Sequence, residues 1–202
     1  VALLIPGAYA QGTIGRAYDR LVGTCDRLLA RSWLTTAVLS VVTFVVLAWM
    51  ANDVLLRFPN SGDEYGYLFQ VRAWLEGRAW FPALPGQDFF AFGHIRVLDG
   101  RVFSVFPPGW PAVLFAAGLA GVPAWLVNPM LGAVTVPVFF AAARRWYEPR
   151  VALVGLVAML VSAFFLLNSA SHYAHTTTLL AIIVFAAAAL RGSDGDSFAL
   201  GA

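Results

Sequence analysis

The chain has 202 residues, 60% hydrophobic and 12% charged, with 13 basic and 11 acidic side chains. A soluble domain carries about 25% charged residues; here the deficit lies in long charge-free stretches, as in bilayer-spanning segments, and a net charge of +2 excludes a strongly basic nucleic-acid binder. The single cysteine, Cys25, excludes an internal disulfide and argues against a metal–thiolate cluster.

The chain opens Val1-Ala2-Leu3-Leu4-Ile5-Pro6. With no Met and no basic region ahead of the apolar run, this is not a secretory signal, and a piece of a longer protein is expected. Residues 14–31 read as an amphipathic helix. Ile14, Tyr18, Leu21, Val22, Cys25, Leu28 and Leu29 recur at helical spacing, with Arg16, Asp19, Arg20, Asp26 and Arg27 between them. Such a helix lies along a membrane surface or packs on a soluble partner.

A first span is expected over residues 33–56, long enough at about 1.5 Å per residue for a ~30 Å core. Arg16, Arg20, Arg27 and Arg31 precede it, so the positive-inside rule puts the N-terminal segment, 1–32, in the cytoplasm. Residues 57–122 form a long polar loop on the outer side, with a helix expected from about Glu64 to Glu76. Ser61 and Glu64 have capping-box spacing, Leu68, Val71 and Leu75 make an apolar stripe, and Gly77 is the stop. Pro107-Pro108-Gly109-Trp110-Pro111 leads into a short apolar stretch, 112–122, read as a re-entrant or interfacial helix. Further spans are expected over 124–143, 151–167 and 177–190. The Arg144 to Arg150 turn lies on the cytoplasmic side, the polar turn 168–176 on the outer side, and a flexible, truncated tail follows over 192–202. The fold class is thus an all-α, multi-pass protein of the cell's inner (plasma) membrane, with four transmembrane helices in one unit over 33–191.

Two outer elements carry the candidate chemistry. Asp63 and Glu64 stand in the first turn of the loop helix, beside Tyr65. Acids there stabilise the helix dipole; as a carboxylate pair at the membrane surface they can also bind a cation or take a proton from a hydroxyl. His172 and His175 are three apart, a spacing that would share a helix face and could hold a divalent metal ion with loop carboxylates, or simply mark a solvated turn. Arg96 and Arg101 flank the turn residues Asp99-Gly100 and are either phosphate contacts or solvated charges. Phe89, Phe90, Phe92, Phe103, Phe106 and Trp110 line a lipid-facing groove or form an interfacial belt.

The order of Asp63-Glu64-Tyr65-Gly66-Tyr67-Leu68, Gly77-Arg78, Pro107-Pro108, Ala143-Arg144-Arg145-Trp146-Tyr147 and Ser171-His172-Tyr173-Ala174-His175-Thr176 resembles the N-terminal part of the GT-C superfamily of membrane glycosyltransferases. It is most similar to the branch of protein O-mannosyltransferases and lipid A aminoarabinose transferases, and covers roughly residues 33–191. The resemblance implies inverting transfer of a sugar from a polyprenyl-phosphate carrier to a protein, lipid or glycan acceptor on the outer face. It makes Asp63 the acidic residue that activates the acceptor, with Glu64 beside it and Tyr65, Arg96, Arg101, His172 and His175 as candidate substrate contacts. Many relatives have Glu-Lys before the Pro-Pro pair; here Val105 and Phe106 stand there. The donor phosphate then needs an arginine, a divalent metal ion or a group outside this chain. Relatives also often end the second outer turn with Asp, where His175 stands. The alternative is a non-catalytic scaffold or transport protein. The bilayer is an expected partner in either case, and nucleic acid is not.

Overall fold

In a computed structural model, residues 13–87 and 93–193 are described. Helix α1, Thr13–Leu29, leads through a two-residue turn into α2, Ser32–Trp49. A π-helical turn, Met50–Val54, extends α2 without a break. The chain then reverses through Leu56 (φ 54°) and Arg57 (φ 58°), both left-handed. Trp125 lies under the Arg57 guanidinium at 4.7 Å, and Asn52 Oδ1 accepts from its Nε.

Helix α3, Gly62–Leu75, begins two residues before the expected start: Ser61 caps it, its Oγ accepting the Glu64 N–H at 3.3 Å. The helix stops as the sequence requires, with Gly77 at φ 70° and the Arg78 N–H returning to the Ala73 carbonyl. The loop is not wholly helical, which corrects the all-α expectation. Strands β1 (Phe81–Pro82), β2 (Ile95–Leu98) and β3 (Arg101–Ser104) form an antiparallel sheet in the order β1-β3-β2. Asp99 and Gly100 make its two-residue turn with φ of 48° and 72°, the conformation that Asp-Gly favours in hairpins. Helix α4, Gly109–Leu119, starts at the Pro-Pro pair as expected and buries Trp110 and Leu114 against α3 and the next helix.

Helix α5, Ala124–Ala143, is the axis of the fold, meeting α2, α4 and each of the three helices that follow it. Its bare Gly132 admits Leu47 and Ser169 so closely that a Cβ would stand 2.5 Å from Leu47 Cδ1. Helices α6 (Pro149–Leu160) and α7 (Ala163–Ala170) together cover the expected third span, but they meet at 58°. The bend comes where Ser162 leaves the helical region (ψ 124°). Helix α8, His175–Ser193, completes the described chain.

Among the described residues two helices are long and apolar enough to cross a membrane, Ser32–Val54 and Ala124–Ala143, and the bent α6–α7 pair makes a third if it acts as one span. The apolar part of α8, His175–Ala189, is shorter, about 22 Å at 1.5 Å per residue. The protein is therefore mostly helical and membrane-associated. Helix α1 and the Arg144 to Arg150 turn lie at one end of the bundle, joined by two bonds of 2.7 and 2.8 Å between Asp26 and Arg150.

Candidate active site

The two adjacent carboxylates go to different places. Glu64 is fully buried. Its Oε2 accepts the Asn60 N–H at 2.6 Å and its Oε1 the His172 N–H at 2.7 Å, across 108 residues of sequence. Burial works to raise its pKa. The His172 imidazole, with Nδ1 3.8 Å from Oε1, and the two backbone donors outweigh burial and hold the carboxyl below its ordinary value. At 3.8 Å the imidazole acts through charge and polarity, not through a hydrogen bond, so the backbone donors are the firmer part. Glu64 thus braces α3 to the turn 171–174 between α7 and α8, shorter than the 168–176 turn expected from the sequence. Trp110 Nε1 donates to the His172 carbonyl at 2.8 Å. Asn128, buried in the second turn of α5, donates to the Ser171 and Tyr173 carbonyls at 2.7 Å each. A turn that reads as solvated is therefore tied down by buried side chains of α3, α4 and α5.

Asp63, one residue earlier and about 100° round the helix, stays 40% exposed. Its Oδ1 lies 3.0 Å from Nε2 of His94, the residue just before β2. The His94 ring stacks on Phe106 at 5.1 Å, and Phe106 lies across Gly66, where a Cβ would come within 2.7 Å of its ring. Gly66 thus admits the ring that supports the histidine holding Asp63. Among the described residues no arginine pairs with Asp63, and Oδ2 has no partner.

Beside this pair opens an apolar groove of about 560 Å³. Tyr67, Phe106 and Trp110 form its end nearest Asp63, and Thr177, Ala181, Ile182 and Phe185 continue it along α8. These last residues recur at helical spacing, so the groove follows one face of α8 for about 12 Å from Thr177 to Phe185. Burial, together with the charges that Asp63, Tyr173 and Glu64 can carry, pushes the Tyr67 phenol above its ordinary pKa.

The remaining expected residues do not converge on Asp63. His172 is buried behind Glu64. His175 is exposed at the start of α8, edge-on to Phe164 and Tyr173, so the two histidines share no site. Tyr65 is exposed on α3 and packs edge-on against Phe58. Arg96 is exposed on β2. Arg101 lies over the Trp80 ring at 4.9 Å, near the hairpin turn and four residues from Val105, whose N–H bonds the His94 carbonyl. At about 3.3 Å per residue that is roughly 13 Å along the strand. Phe106 and Trp110 line the groove, whereas Phe89, Phe90 and Phe92 lie outside the described residues. No group of three metal-ligating side chains is gathered among the described residues.

His94, Tyr67 and Asn128 were not singled out as functional from the sequence. His94 is the loop's one histidine and Asn128 a lone amide within an apolar span, the two signals that could have marked them. Comparison with known proteins leaves the chain without a match: no family model fits it, and no curated protein and no solved structure is significantly similar.

Proposed function

We propose that the protein is a membrane glycosyltransferase of GT-C type that moves a sugar from a polyprenyl phosphate to an acceptor hydroxyl on the outer side of the inner membrane. On this reading the four apolar segments cross the bilayer with the N-terminus inside. The observation that carries it is the position of Asp63: a part-exposed carboxylate, held at one oxygen by His94, beside an apolar groove that runs down α8. A polyprenyl chain needs such a groove, and the reaction needs a base at its polar end. Asp63 takes the proton of the acceptor O–H, and the freed oxygen attacks the anomeric carbon. The carbon–oxygen bond to phosphate breaks, its electron pair leaving with the polyprenyl phosphate, and the configuration inverts. That leaving group is already a stable anion and needs no general acid. It calls for positive charge, which on this reading comes from an arginine, a metal ion or a group outside this chain.

The absence of an arginine partner on Asp63 among the described residues favours one alternative, a scaffold that binds prenyl lipid without transferring from it. Photo-crosslinking with a polyprenyl-phosphate analogue in native membranes tests the shared part. Label is expected on α8 at Ile182 or Phe185, competed by unlabelled polyprenyl phosphate and lost in Ala181→Trp, which fills the groove. Labelling that avoids α8 and ignores Ala181→Trp would remove the groove from both readings. Labelling of α8 without any sugar transfer would leave the scaffold.

A further inference from the structure

Helix α1 has no part in this site, yet its surface is ordered. At about 100° per residue, four stripes follow one another around it. Val22, Cys25 and Leu29 are half-buried, and Cys25 and Leu29 pack on the core cluster of α5 and α6. On one flank of that stripe lie Asp19 and Asp26, the latter held by Nε and Nη2 of the Arg150 guanidinium. On its other flank stand Leu21 and Leu28, 66% and 41% exposed. Arg16, Arg20 and Arg27 make the fourth stripe, opposite the packed one. Among the described residues Arg27 bonds neutral groups, the Gly23 carbonyl and the Thr24 hydroxyl. With Asp26 paired to Arg150, the acid of α1 itself left to oppose Arg16, Arg20, Arg27 and Arg31 is Asp19.

Two residues beyond α1 begins a helix long enough to cross a bilayer, opening with Trp33 (73% exposed) and Leu34. The exposed leucines are therefore tethered at the end of a span, with the arginines next to them around the helix.

We propose that α1 is an interfacial helix that binds anionic phospholipid headgroups in the leaflet at this end of α2. Leu21, Leu28 and Trp33 enter the acyl boundary, and Arg16, Arg20, Arg27 and Arg31 meet the phosphates. The side packed on α6 fixes the helix's rotation, so the leucine stripe turns to lipid while the arginines reach headgroup level. Apolar burial and attraction to anionic lipid then act together, as interfacial helices require. A basic side chain near an anionic surface strengthens binding about fivefold, within a Debye length.

The test uses the full chain in nanodiscs of phosphatidylcholine with and without phosphatidylglycerol. A bimane label on Leu21→Cys, in a Cys25→Ser background, should be quenched by lipids spin-labelled near the headgroup and little by aqueous iodide. Native mass spectrometry should show phosphatidylglycerol retained over phosphatidylcholine, with that preference falling at least tenfold when the four arginines become Gln and weakening at high salt. A helix packed on other protein would shield the label from both quenchers; a helix in water would expose it to iodide. Either result overturns the proposal. Unchanged phosphatidylglycerol preference in the quadruple variant overturns the headgroup contact even if the label is in lipid. Arg150→Gln, which frees Asp26 to oppose the arginines, should lower the preference in the same direction, and no change there would also count against it.

Discussion

Glu64→Gln is the sharpest probe of how this face is built. The buried carboxylate accepts two backbone N–H groups, at 2.6 and 2.7 Å. The amide keeps one acceptor oxygen and turns its NH₂ toward the other donor, so one charge-assisted bond is lost and a buried N–H is left unmet. Such bonds contribute about 1.5–3 kcal/mol and an unmet buried donor costs about 1–3, which puts the loss near 2–4 kcal/mol. For a chain of this size that is roughly 5–15 °C in apparent melting temperature. Intrinsic tryptophan fluorescence of the detergent-solubilised chain, followed on heating, reads it out. The pH dependence has a definite sign. The folded carboxyl is held below its ordinary value, so its contribution is complete above about pH 4.3 and is lost as pH falls through the lowered value. The gap between the wild-type chain and Glu64→Gln should therefore close on acidification. If Glu64→Gln melts like the wild-type chain at pH 7 yet loses transfer, Glu64 acts in chemistry and the brace is refuted.

Gly66→Ala places a Cβ 2.7 Å from the Phe106 ring. The ring must shift, and His94 with it, so transfer should fall while the melting temperature changes by much less than in Glu64→Gln; unaffected transfer would show that the stack does not position Asp63. His94→Phe keeps the stack but removes the N–H that holds Asp63, and should lower turnover more than it changes donor KM; unchanged turnover would detach His94 from the reaction. For topology, a cysteine at residue 147, in a Cys25→Ser background, should react only with a permeant reagent or from the cytoplasmic side, and labelling from outside alone would invert the proposed orientation.

The longest elements were legible because their signals are local. The first span and α5 follow from uninterrupted apolar runs, and α3 from Ser61 at its start and Gly77 at its end. The break between α6 and α7 was not, since Val161-Ser162-Ala163 holds neither Pro nor Gly. The strands were missed because each is at most four residues long, too short for alternation to stand out, although their turn was marked by Asp99-Gly100. Of the candidate site, Asp63 and the groove aromatics Phe106 and Trp110 were marked by the sequence, and His94 and Tyr67 were not. The fate of Glu64 depends on a backbone N–H 108 residues away, and backbone donors leave no trace in sequence. The histidine pair misled for the same reason: His172 belongs to a turn whose carbonyls are tied down by Trp110 and Asn128, so its spacing from His175 never becomes a shared face.

The most direct measurement is sugar transfer from a polyprenyl-phosphate donor by Asp63→Asn in native membranes, with protein level and melting temperature followed in parallel. The amide keeps the size of the side chain and removes the basic oxygen, and loss of a general base costs about 10²-fold or more in rate. Asp63 is 40% exposed and an acid in a first helical turn stabilises it by about 0.3–1 kcal/mol, so abundance and melting temperature should barely move. A transfer rate at least about a hundredfold lower on a chain of unchanged stability is the result expected of a base; transfer close to that of the unaltered protein would contradict the role assigned to Asp63.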